Sequence, residues 1–147
     1  MHRLLSRLAG LFTLLLAAGT HPCPSLGAPD LTSLADQVFG LVNQQRAARG
    51  LKPLARVSPL DRSAQDYAGR MATEDFFSHI APDGQTPAGR ILVAGYSWSG
   101  WGENIAAGLD SAEAVMDAWM HSPGHAANIL SDSYFMWDFT VGVAFGF

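Results

Sequence analysis

The 147-residue chain has a single cysteine, Cys23, so no disulfide can form within it. A domain exported without disulfides must be held by its core, which points to a bacterial exporter rather than to a cysteine-rich animal secretion. No basic cluster occurs beyond residue 28, where 7 basic residues face 13 acidic ones, a formal net charge of −6. That balance excludes nucleic acid and an anionic membrane surface as partners. Internal repeats, low-complexity segments and internal linkers are also missing, so residues 29–147 form one domain with one core.

Residues 1–28 stand apart. Arg3 and Arg7 precede an apolar run from Leu8 to Ala18, and small residues follow at Ala17, Ala18 and Gly19. This is the order of a secretory signal peptide, and the run is too short to span a bilayer comfortably. Cleavage after Gly19 and cleavage after Ala28 both fit, and the second removes Cys23. His21-Pro22 before Cys23 are not the small, apolar residues that lipid attachment expects. The expected product is secreted, periplasmic or extracellular, with no membrane span after cleavage.

Leu34, Val38, Leu41 and Val42 recur at helical spacing and predict a helix from Leu31 to Arg49, with Asp30 as N-cap and Gly50 at C′. A second helix is expected from Ser58, with Pro59 in its first turn, Asp61 completing a capping-box pattern, and Leu60, Ala64, Tyr67, Ala68 and Met71 as its buried stripe. His79 falls in an irregular stretch before the Asp83-Gly84 turn. Thr86-Pro87 can cap a short helix ending at Gly95, and a short strand is expected over Asn104–Ala107. A further helix is expected from Ser111 to His121 with Val115, Ala118 and Trp119 inward, before Pro123-Gly124 and a short turn or helix to Leu130. Phe139, Val141, Val143, Phe145 and Phe147 alternate with small residues, a plain strand signal. Its partners are expected near Asn104 and, more weakly, within 91–99.

Three residues carry the chemistry. His79 ends Phe76-Phe77-Ser78-His79, Glu103 lies in Gly102-Glu103-Asn104-Ile105, and His125 in Ser122-Pro123-Gly124-His125-Ala126-Ala127-Asn128-Ile129-Leu130. Imidazole and carboxylate together can bind a divalent metal or move a proton near neutral pH. Their spacing is too long for one helix face, so only a tertiary fold can assemble them. His121 is a further candidate, with Asp117 one turn before it as an acid that could orient it. Tyr96, Trp98, Trp101, Phe76 and Phe77 are aromatic; most aromatics in such a domain are core, and the rest could line a pocket for an apolar or glycan ligand. Ser122, three residues from His125, lacks the orienting acid that a hydrolytic Ser/His pair requires.

These motifs, together with Leu41-Val42-Asn43-Gln44-Gln45-Arg46 and Ala118-Trp119, resemble in order and content the CAP superfamily of cysteine-rich secretory, antigen 5 and pathogenesis-related proteins. The bacterial secreted, SCP-like branch is the nearest in character, and the resemblance spans residues 37–146. It implies an α+β fold, an α-β-α sandwich with a small antiparallel sheet between helical layers. It also implies a central cleft in which His79, His125 and Glu103 meet and hold zinc, weakly. Many members place a second glutamate shortly after the tryptophan, but no acid lies between Trp119 and His125 here, so the tetrad becomes a triad. Family members continue past the strand at which this chain stops, so a sheet lacking its last strand is expected, with an exposed edge through which copies could self-associate. The Ser131–Asp138 connection, with Tyr134, Phe135, Met136 and Trp137, is more aromatic than the family's.

Three functions follow from the resemblance. The first is an extracellular binding module whose cleft holds a divalent cation and an apolar, glycan or cell-envelope ligand, with Trp98, Trp101, Tyr96 and Ser122 as contacts. The second is a metal-assisted, peptidase-like hydrolase with Glu103 as general base. The third is a surface or host-interaction scaffold without site chemistry.

Overall fold

The computed structural model describes the backbone of residues 31–133 and 139–144 and the side chains of residues 34–133. The expected signal segment, the Asp30 cap, the aromatic stretch 134–138 and residues 145–147 lie outside the described residues. The element order is α1 (Leu31–Ala47), α2 (Ser58–Thr73), α3 (Pro87–Val93), β1 (Gly102–Ala107), α4 (Ala112–Met120), α5 (Pro123–Ile129) and β2 (Phe139–Ala144).

α1 buries Leu34, Val38 and Val42 and ends where Gly50 takes a left-handed φ of 70°. Its buried Arg46 ties it to the far end of the chain, donating from Nη1 to the carbonyls of Ile129 at 2.9 Å and Ser131 at 2.7 Å. The predicted α2 stripe is buried in full. Its start is not a capping box, however: the N-cap is Val57, without a side-chain cap, and Ser58 is already helical. Asp61 instead pairs with Arg56, which also reaches Asp36 and so joins the starts of α1 and α2. α3 and α4 are capped as expected, by Thr86 and Ser111, whose hydroxyls accept from Gly89 and Ala114. On α4 the inward residues are Ala112, Val115, Met116 and Trp119, whereas Ala118 is exposed.

β1 is buried on both faces and divides two cores. Ala106 packs with α1, α4 and Ile129 of α5, around Trp119. Ile105 and Ala107 point the other way, to Tyr67 and Met71 of α2 and to Ala81. α2 also lies against β2, and α1 touches it. The fold is therefore an α+β sandwich with a sheet between helical layers.

The sheet differs from the expected one in direction. β1 and β2 run parallel, with Gly102 opposite Phe139 and Ala107 opposite Ala144. The intervening chain spends α4 and α5 on a crossover, which is the connection that parallel strands require. Burial on both faces suits such a strand. No strand forms within 91–99, because Gly95, at φ 90°, turns the chain and Tyr96 N–H closes back on the Ile91 carbonyl at 3.1 Å.

Candidate functional site at the start of the central strand

Alternation along β1 sends Glu103 toward the α2–α3 layer and Asn104 toward α5. Glu103 is buried, with 1% of its side chain exposed, and both its oxygens are engaged. Oε1 lies 2.8 Å from His79 Nδ1, and Oε2 accepts from Arg90 Nη2 at 2.6 Å.

His79 reaches this position because its loop is pinned from below. Asp75 turns the chain after α2 at φ 53°, and Phe76 packs edge-on against Tyr67 at 5.9 Å between ring centroids. The Tyr67 hydroxyl donates to the Ser78 carbonyl at 2.7 Å, and Arg90 donates to the His79 carbonyl from both terminal nitrogens at 3.2 Å. Half of the imidazole is left exposed, with Nδ1 held and Nε2 without a hydrogen bond among the described residues. A carboxylate on one ring nitrogen fixes the orientation of the ring.

Arg90 is the functional residue that sequence reasoning missed. Only 6% of its side chain is exposed, and its guanidinium lies 3.2 Å above the Tyr67 ring centroid. A signal existed: α3 buries Pro87, Arg90 and Ile91 at three- and four-residue spacing, which places an arginine at a core position and demands a buried acid.

His125 lies in the first turn of α5, under Ser122-Pro123. Its carbonyl accepts from Asn104 Nδ2 at 3.2 Å, while Asn128 Nδ2 donates to Asn104 Oδ1 at 2.9 Å and to the Glu103 carbonyl at 3.3 Å. These two asparagines fasten α5 to the start of β1. The His125 ring packs 6.2 Å from Trp119, whose indole N–H donates to the Ile105 carbonyl at 3.1 Å. His125 Nδ1 is buried without a partner among the described residues. Burial, and secondarily the charge of His79, hold the His125 pKa below its ordinary value. A lowered pKa favours the neutral imidazole, the form that can bind a metal.

Among the described residues no group of three or more His, Cys, Asp or Glu side chains is placed to hold a metal ion. Glu103, expected as a ligand, has its oxygens committed to Arg90 and His79. Among the three expected ligands, the ring nitrogens left without a hydrogen bond among the described residues include His79 Nε2 and His125 Nδ1.

The remaining candidates fall into three kinds. Trp98 and Trp101 are partly exposed and meet edge-to-face at 6.4 Å between centroids, just ahead of β1. Tyr96 is half-buried, and Ser122 holds the N-cap position of α5 without a side-chain cap bond. His121 makes an exposed pair with Asp117, and Phe76 packs on the core of α2 while Phe77 is exposed.

The profile of the family described as "CAP: Cysteine-rich secretory protein family" matches residues 39–137. The chain is 36% identical over 108 residues to the uncharacterized protein YkwD of Bacillus subtilis, covering 73% of this chain and 42% of that one. It is 26% identical to the uncharacterized membrane protein YlbC of the same organism, over 70% of this chain and 30% of the relative. It spans less than half the length of these curated relatives. Among solved structures, an extracellular protein containing an SCP domain from Bacillus anthracis superposes with a TM-score of 0.67 at 29% identity, over 69% of this chain and 34% of that one. An outer surface protein of Borrelia burgdorferi shares the fold, with a TM-score of 0.62 at 22% identity over 73% and 79% of the two chains. Among the described residues no helix is long and apolar enough to cross a membrane.

Proposed function

Since the chain belongs to the cysteine-rich secretory protein (CAP) family, we propose that it is an extracellular binding module whose ligand is received at the start of β1, at a site built on His79 and His125. The observation that carries this reading is the engagement of Glu103. A general base must offer an oxygen to a water, but the Glu103 side chain is only 1% exposed, and each of its oxygens already has a partner, one of them a buried arginine. The carboxylate orients His79 and compensates Arg90, and the surface left for chemistry is two imidazole edges. This arrangement favours holding a ligand over turning one over.

A divalent cation, zinc by donor type, would be held by His79 through Nε2 and by His125, with water or ligand atoms completing its shell. When bound it would supply Lewis acidity to a ligand oxygen. With two protein ligands instead of three or four, binding is weak. The exposed pair Trp98 and Trp101, just ahead of β1, would give an apolar or glycan-bearing cell-envelope ligand a surface to contact. The extracellular placement rests on the resemblance of residues 1–28 to a signal peptide and on the extracellular description of the Bacillus anthracis relative.

Zinc titration of the folded chain by calorimetry, beside His79→Ala/His125→Ala and Glu103→Gln, tests the reading. Weak one-to-one binding that vanishes in the double variant and survives in Glu103→Gln is expected. Binding indifferent to the double variant, or none by the folded wild type, removes the cation from the proposal. Turnover of a peptide or ester that requires both zinc and Glu103 would replace the module with the hydrolase.

A further inference from the structure

The two histidines of the site differ in which ring nitrogen the fold engages. A neutral imidazole carries one proton, and the partners of its two nitrogens decide which of them has it. Glu103 accepts from Arg90 and acts as an acceptor toward His79 as well. Neutral His79 therefore holds its proton on Nδ1, 2.8 Å from Glu103 Oε1, and keeps its lone pair on Nε2. His125 is the reverse case. Its ring packs beside Trp119, and its Nδ1 is buried with no partner among the described residues. A buried N–H without an acceptor is rarer in folded proteins than a buried acceptor without a donor. A proton on Nδ1 would be stranded, whereas on Nε2, the nitrogen through which this half-buried ring can meet solvent, water accepts it.

We propose that the two rings meet the ligand in opposite roles, His79 Nε2 accepting a hydrogen bond and His125 Nε2–H donating one, and that the ligand carries an uncharged secondary amide. The inference rests on the reading of the cleft as a binding module and names the chemistry that it receives. A secondary amide offers an N–H to His79 and a carbonyl to His125, whereas a carboxylate has no N–H to offer. The charge beneath the site is already balanced, because Glu103 and Arg90 pair at 2.6 Å with almost no exposed side-chain surface. The segments 76–82 and 91–102, which carry His79 and the exposed tryptophans, hold no Asp, Glu, Lys or Arg, so nothing in them selects an ionised ligand. Acetylated glycans and peptides both supply such an amide. A cation can take His125 Nε2 only after the proton moves to Nδ1, where nothing among the described residues accepts it, a further reason for weak zinc binding.

Long-range ¹H–¹⁵N spectra of the zinc-free folded chain read the tautomers directly, because an unprotonated ring nitrogen resonates far downfield of a protonated one. With both rings neutral, the downfield nitrogen should be Nε2 in His79 and Nδ1 in His125, assigned through His79→Gln and His125→Gln. Titration with N,N′-diacetylchitobiose and with N-acetylalanine methylamide then separates a glycan from a peptide source. At least one should bind saturably and shift both Nε2 resonances, with acetate weaker by roughly tenfold, as expected when a hydrogen-bonding partner is lost. His125→Leu should weaken that binding by about fivefold, and His125→Gln, whose amide can donate, should recover part of the loss. The proposal is overturned if His125 carries its proton on Nδ1, if neither amide binds the folded wild type, or if acetate binds as well as they do. Zinc binding without amide binding overturns it and leaves the cleft a cation site. Amide binding without zinc removes the cation and leaves the opposed roles standing.

Discussion

Replacing Glu103 by alanine tests the central claim about the site, that this carboxylate holds the structure together rather than performing chemistry. The Arg90–Glu103 pair is almost completely desolvated, with 6% and 1% of the side chains exposed. Removing one partner from a buried, hydrogen-bonded pair costs about 3–5 kcal/mol, because the other charge stays buried and uncompensated. Arg90 would keep two backbone carbonyls and the face of Tyr67, which places the expected loss near the lower end, about 3 kcal/mol. The bond to His79 adds little, since that ring is half in solvent. Urea unfolding monitored by tryptophan fluorescence and circular dichroism reads the loss as a lower midpoint at constant slope. Adding Arg90→Met to Glu103→Ala removes the stranded cation, so the double variant should regain at least half of the lost stability. Glu103→Ala within about 1 kcal/mol of wild type, or a double variant less stable than the single one, would refute the reasoning.

Three further outcomes are expected. The His125 pKa is held below 6.5 by burial and by His79, so the unfolded chain gains a proton near pH 6.5 that the folded chain resists. Stability from this group is complete above pH 6.5 and is lost progressively below it, and urea midpoints at about pH 7.5 and 5.5 should fall further apart in wild type than in His125→Gln. Asn43→Ala should cost about 2 kcal/mol in the same assay, because Asn43 both donates to the Leu54 carbonyl at 3.1 Å and accepts from its N–H at 2.8 Å, and Leu54 is buried. Gly50→Ala should cost about 1 kcal/mol through backbone strain alone, since its φ is 70° and nothing lies within 4 Å of an added Cβ.

The parts of the fold that were legible in sequence are those governed by local rules. The α2 stripe, the Thr86 and Ser111 caps and the left-handed Gly50 each depend on residues within one or two turns of one another. The Ser58 cap shows where local rules compete. Ser58 and Asp61 fit a capping box, but Arg56 draws Asp61 into a bridge with Asp36 of α1, and the helix starts one residue earlier without a cap. Strand direction was not legible, because alternation reveals that a strand exists and which faces it has, but not which neighbour it takes. Ala118 was misplaced because the buried face of α4 is carried by Ala112, Val115, Met116 and Trp119 at three- and four-residue spacing, and position 118 falls outside it.

The same division explains the site. His79, Glu103 and His125 could be singled out because each sits in its own short signature, and the strand parity at residues 103 and 104 then distributes them over both faces of β1. What each one does depends on a fourth residue that carries no signature. Arg90 lies 13 residues before Glu103, on a seven-residue helix where an arginine reads as a surface charge. Only when Pro87, Arg90 and Ile91 are taken together as one buried face does its charge require a partner, and the buried acid that answers it is Glu103. The carboxylate of Glu103 thereby answers the charge of Arg90 as well as holding His79.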